Sequence, residues 1–188
     1  QAGPQVRSIT GRPGEQLGSA VTSEGTSQVE TMGKQFIAGV DAENAKKSLS
    51  KLWQRGIGFS VDLLGEACVR DAEADVYLQR YLDMIEGLAG IASTWEPNDR
   101  LDQDHIESVP RANVSVKISS LSATLDPIDT EGSIRDLLFR MRPILQAAAK
   151  HNVLINFDME SHESKDLTLE LVRRACEVED FPAGMAMQ

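Results

Sequence analysis

Long apolar runs are missing from this chain: no stretch reaches the roughly 18 to 20 apolar residues that cross a bilayer. Nor does a basic segment lead into an apolar one near the N-terminus. Both features argue against a membrane-spanning or secreted protein. Cysteine is scarce, with Cys68 and Cys176 alone, which have neither the density nor the spacing of a disulfide framework or a zinc site. Both fall in expected helices beside apolar residues and read as buried free thiols. Positive charge is in deficit: 19 basic against 29 acidic side chains leave a formal charge of -10, which repels nucleic acid and anionic lipid. No GxGxxG or GxxxxGK[ST] follows any expected strand, and GxSxG, HExxH and CxxC do not occur. The commonest nucleotide-cradling, acyl-transfer, zinc and redox signatures therefore drop out.

What is present suits one ordinary globular domain. Apolar residues make up 41% of 188 and charged residues 26%, enough for a real core without the polarity of a disordered chain. Residues 1–30, rich in Gly, Ser, Thr and Gln, read as a loop or linker. Residues 31–56 read as a helical lead-in, with Asp41 as the cap of a helix to Arg55 and Ala45, Leu49, Leu52 and Trp53 as its buried stripe.

From residue 57 the pattern becomes regular. Strands are expected over Ile57–Leu63, Asn113–Ile118 and Val153–Asp158, and a fourth from Ala183. Helices are expected over Asp71–Ala92, Ser133–Lys150 and Glu163–Val178, and a polar loop over Ser93–Arg111. Strand alternating with a helix long enough to cross back is the pattern of a parallel sheet. Either an open doubly wound sheet or a (β/α)₈ barrel can follow, and the missing glycine fingerprints favour the barrel. A complete barrel takes about 250 residues. The expectation for 57–188 is thus α/β, an incomplete TIM-like barrel of about the first four βα units.

Charged residues gather where such folds build their sites, at the C-terminal ends of strands. Asp62 stands near the end of the first strand, with Glu66 in the turn after it. Asp62 alone reads equally well as a cap for that turn. Lys117 lies among Val114, Val116 and Ile118, where an ammonium needs partners. Asp158 ends the third strand; Glu160 shares its face if the strand continues through Met159 and otherwise begins a turn. Gln188 takes the corresponding place on the fourth. The three histidines form no ligand pattern: His105 and His151 read as structural, and His162 is close enough to Glu160 to touch a site.

These strand ends lie inside longer blocks. Phe59-Ser-Val-Asp-Leu-Leu-Gly-Glu-Ala67, Val114-Ser-Val-Lys-Ile-Ser-Ser-Leu121 and Ile155-Asn-Phe-Asp-Met-Glu-Ser161 resemble successive barrel segments of the proline dehydrogenase family. Met32-Gly-Lys-Gln-Phe-Ile-Ala-Gly39 resembles the segment before the barrel in its large bifunctional bacterial members. The resemblance runs from about residue 30 to the end, with four blocks in order.

The resemblance implies a distorted barrel holding FAD without a covalent bond and oxidising L-proline to Δ1-pyrroline-5-carboxylate, with electrons passed to a membrane quinone. It implies a cytoplasmic protein in peripheral contact with the inner membrane, homo-oligomer formation by the full-length enzyme, and a downstream NAD-dependent semialdehyde dehydrogenase domain. By motif, Lys117 becomes a partner for the proline carboxylate close to the flavin. Asp62 and Glu66 become the acidic positions after strand one, Glu66 orienting an arginine from the end of the barrel. Asp158 supports the flavin surroundings, Met159 and Glu160 line the neighbouring wall, and Gln188 hydrogen-bonds the flavin ring. The family's flavin-stacking arginine, its two carboxylate-clamping arginines and its substrate tyrosine match nothing here, so the chain is expected to stop short of a whole domain and to be inactive alone. The DNA-binding domain of some members is not visible either. Two other classes remain open: another barrel enzyme using Lys117 as a Schiff-base amine, which needs a depressed pKa, and a non-catalytic scaffold.

Overall fold

The computed structural model describes residues 41–63 and 68–187. The loop-like segment, the block Met32–Gly39, Glu66 and Gln188 lie outside the described residues. Helix α1 spans Ala42–Gln54, and Asp41 caps it by accepting from the Asn44 N–H at 2.8 Å. Strand β1 is Val61–Asp62 and helix α2 Asp71–Ala92. Strand β2, Ala112–Val116, runs through Lys117 into a 3₁₀ turn at Ile118–Ser120. Helix α3 is Thr130–His151, strand β3 Val153–Phe157, helix α4 Lys165–Val178 and strand β4 Ala183–Met185.

The strands form one parallel sheet in the order β1-β2-β3-β4, each next to its neighbour in sequence. Alternation sorts its two faces. Val114, Val116, Val153, Ile155 and Phe157 are fully buried in one core with Ile85 and Leu88 of α2, Ile134, Leu137 and Ile144 of α3, and Leu171 of α4. The intervening Asn113, Ser115, Leu154 and Asn156 point the other way. Parallel sheets ordinarily have both faces apolar and covered. A second face that is mostly polar suits the inside of a curved sheet, and among the described residues this sheet is not closed.

Helix packing is close. At Gly87 of α2 a side-chain carbon would stand 2.6 Å from the Ala42 Cβ of α1, so this crossing needs the glycine. Helix α3 ends at Asn152 in the left-handed region, φ 52°, which reverses the chain directly into β3.

Three expectations need correction. The first strand is two residues rather than seven: Phe59 instead packs edge-on against Trp95, centroids 5.6 Å apart, and Ser60 bonds the Asn113 side chain at 2.9 Å. The second strand stops at Val116, because the Lys117 carbonyl turns to accept from the Ser120 hydroxyl and N–H. Of the thiols, Cys68 is buried but sits in the loop before α2, and Cys176 is on α4 but exposed. The neighbouring Ala175 takes the buried position, and one residue is a rotation of about 100° around a helix.

The Ser93–Arg111 loop is organised around Arg111. Its guanidinium forks onto Asp102 at 2.6 and 2.9 Å, donates to the carbonyls of Trp95 and Ala92, and lies 5.2 Å over the Trp53 ring. Trp53 and Trp95 stack with centroids 5.1 Å apart. This cluster fastens α1 and the loop to the entry of β2.

Candidate active site

At the opposite end, where the strands finish, three charged residues converge. Asp62 lies in register with Ser115, and the β2–β3 ladder continues one step beyond its last strand pair as the Asp158 N–H donates to the Val116 carbonyl at 3.0 Å. That step places Asp158 beside Lys117, on the face that points away from the helices. The Lys117 ammonium bonds Asp62 and lies 3.2 Å from Asp158 Oδ2. The Lys117 side chain is 22% exposed and its partners 39% and 29%, so the group is half-buried yet open to a ligand.

Burial alone would make Lys117 easier to deprotonate. The hydrogen bond and charge of Asp62, then those of Asp158, outweigh it and hold its pKa above that of an ordinary lysine. The amine is a fixed cation at neutral pH. An ammonium has three N–H donors. Two face the aspartates, and among the described residues the third has no partner, which leaves it for an incoming anion.

The remaining expected residues divide. Glu160 does not join Asp158: its two oxygens accept from the Ser119 N–H at 3.0 Å and the Ser119 hydroxyl at 2.6 Å, clamping the 3₁₀ turn. The pair therefore diverges, and among the described residues no three His, Cys, Asp or Glu side chains gather as a metal site. Met159 is buried between them. His162 and His105 are exposed in loops, and His151 ends α3.

Sequence reasoning missed the supports of the lysine. Tyr81 of α2 is fully buried with its hydroxyl 3.1 Å from the Lys117 backbone nitrogen. Burial pushes its phenol pKa up, against the hydrogen bonds of Ser120 and Lys117, so it is a neutral hydroxyl. The Cys68 N–H donates to the Ser119 carbonyl at 3.0 Å, holding the same turn from the β1 side. The available signal was that a tyrosine in a buried stripe needs a partner for its hydroxyl.

A cleft of about 540 Å³ lies at the other end of the strands, lined by Arg111, Asp102, His151 and Asn152 among others. Its strongest charges, Arg111 and Asp102, satisfy each other, so the strand-end cluster is the better candidate for chemistry.

Comparison with known proteins identifies the family and the fold. The family model described as proline dehydrogenase matches residues 45–188. The bifunctional protein PutA of Escherichia coli K12 is 27% identical over 168 residues, covering 89% of this chain and 12% of that protein. Proline dehydrogenase 1 of Bacillus subtilis strain 168 is 24% identical over 155 residues, 82% of this chain and 43% of that protein. Among solved structures, proline utilization A from Bdellovibrio bacteriovorus, inactivated by N-propargylglycine, aligns at TM-score 0.85 and 30% identity over 90% of this chain and 18% of its own. The Corynebacterium freiburgense protein aligns at TM-score 0.62 and 26% identity over 97% and 18%. The fold is of the TIM-like barrel type, and the chain spans less than half the length of each of these relatives.

Proposed function

The chain belongs to the proline dehydrogenase family, and from that premise we propose that the protein carrying these residues oxidises L-proline to Δ1-pyrroline-5-carboxylate with FAD. The observation that carries this reading is the Lys117 ammonium, held protonated between Asp62 and Asp158 and with no further partner among the described residues. A fixed, partly desolvated cation suits the carboxylate of an amino acid and orients the ring behind it.

The same observation argues against a Schiff-base enzyme, whose lysine must shed its proton. Two carboxylates turned onto one ammonium at the strand ends also make a poor choice for a mere scaffold.

The residues present suit the flavin only in part. The face carrying Asn156 and Asp158 is polar and part-exposed, and the Asn156 amide and Lys117 ammonium are donors of the kind a heteroaromatic ring with several acceptors needs. Lys117, Asp158 and the buried Met159 would line the ring's neighbourhood. Glu160 has both oxygens engaged by Ser119 and acts on the turn instead. When bound, FAD supplies the acceptor for the hydride that leaves the ring carbon next to nitrogen. The chain's own part is to bind the carboxylate through Lys117, and to keep that lysine charged and fixed through Asp62 and Asp158.

The reading extends to electron transfer to a membrane quinone by a peripherally bound protein, and to a second, NAD-dependent domain, which relatives named bifunctional support. No described helix is long and apolar enough to cross a membrane. Anaerobic titration with L-proline tests the core of it. The oxidised flavin band should bleach, and FAD-loaded protein that stays yellow would refute the substrate.

A further inference from the structure

Lys117 is held at its backbone as well as at its charge. The Lys117 N–H donates to the Tyr81 hydroxyl at 3.1 Å. That hydroxyl lies 3.4 Å from the Ser120 Oγ. The Ser120 hydroxyl in turn donates to the Lys117 carbonyl at 2.7 Å. Since the Ser120 proton is committed to that carbonyl, Tyr81 is left to donate toward Ser120 while it accepts from Lys117. The result is a directed ring, from the lysine N–H through two hydroxyls back to the lysine carbonyl.

We propose that Tyr81 is a positioning residue for Lys117: it fixes the peptide at the end of β2 so that the ammonium stands between Asp62 and Asp158. A β-ladder fixes a strand only where it has a neighbour on each side. Among the described residues β2 pairs with β1 only at Val61–Val114 and Asp62–Ser115, and Lys117 lies beyond both pairs. On that side its N–H takes Tyr81, from α2, in place of a strand. A helix side chain thereby sets the pose of a strand-end lysine. Phenylalanine fills the same volume but leaves this part-buried N–H with no acceptor.

The test uses Tyr81→Phe in the protein that carries these residues, with Ser120→Ala as a second break in the ring. Hydrogen exchange should show the Lys117 amide opening roughly tenfold faster, with the amides of Val114 and Phe157 unchanged. The kinetic arm rests on the proposed reaction: KM for L-proline should rise about tenfold while kcat and bound flavin change less than twofold. In a Lys117→Ala background, Tyr81→Phe should add nothing to KM, because residues acting as one unit are not additive. An unchanged Lys117 amide, faster exchange throughout the sheet, or an equal KM effect with and without Lys117 would each overturn the proposal. If the parent protein leaves proline untouched, the functional reading fails, and the exchange measurement still decides the role of Tyr81.

Discussion

Asp158 Oδ2 stands 3.2 Å from the Lys117 ammonium, across the boundary between the ends of β3 and β2. Asp62 meets the same ammonium from β1. One cation thus ties together three consecutive strand ends, and it carries one positive charge against two negative ones. Among the described residues the lysine has a donor to spare for an anionic ligand, so removing the lysine should hurt ligand binding more than folding.

Lys117→Ala in the protein carrying these residues should weaken L-proline binding and turnover by about 2 to 5 kcal/mol. Part of that loss arises because Asp62 and Asp158 then face the substrate carboxylate unshielded. Flavin content should fall much less. Steady-state kinetics beside the flavin absorbance of the purified variant give the comparison, and unchanged kinetics would leave Lys117 a merely paired lysine.

Glu160→Gln separates a flavin contact from a clamp. The amide oxygen can still accept from the Ser119 N–H, but the Ser119 hydroxyl must turn to accept from the amide nitrogen, so a charge-assisted bond becomes a neutral one. The expected effect is a loss of about 0.5 to 1.5 kcal/mol of stability with FAD affinity within twofold of the parent. A large drop in flavin affinity at an unchanged melting temperature would return Glu160 to the cofactor.

Much of this was legible in the sequence, and the exceptions have a common cause. Helices α1 and α2 and strand β3 follow from apolar spacing that is local, helped on α1 by the Asp41 cap. Lys117 announced itself as a charge among Val114, Val116 and Ile118. Ile57 to Ser60 alternate like a strand, while the partners of Phe59 and Ser60, Trp95 and Asn113, come from distant parts of the chain, so the strand itself is shorter than the pattern. Nothing local reveals that both Glu160 oxygens bond Ser119, 41 positions away. Tyr81 carried a helical stripe and a hydroxyl, and only the crossing of α2 over β2 shows where the hydroxyl goes.

Arg111 and Asp102 make a prediction about pH and stability. The Arg111 hydrogen bonds hold the Asp102 carboxyl below its usual range. A depressed folded-state value means stability that is fully present above the unfolded carboxyl value, about 3.9, and lost as pH falls through the lower folded value. Asp102→Asn should remove this contribution, flattening the acid limb of a melting-temperature profile below about pH 4. At neutral pH Arg111→Ala should destabilise by about 1.5 to 3 kcal/mol, and Arg111→Lys should recover little of it, lacking the planar fork. An acid limb that is the same in Asp102→Asn and the parent would place the titrating group elsewhere.

The 188 residues expressed alone should neither hold FAD tightly nor oxidise proline. Strand β4 pairs with β3 along Ala183–Met185, and among the described residues its other side has no strand beside it. The part-exposed polar face bearing Asn156 and Asp158 likewise has no opposing strand among the described residues, so a flavin on it would meet water, where Lys117 attracts a bound anion only weakly. An open parallel edge also recruits other chains, and aggregation or loose packing should follow. Refolding the chain with excess FAD, gel-filtering it, and then recording the flavin spectrum and proline-dependent dye reduction tests edge and pocket together. A monodisperse yellow monomer that reduces dye with proline would show that four strands suffice for the chemistry, and the argument from the open sheet would be wrong even with the family assignment intact.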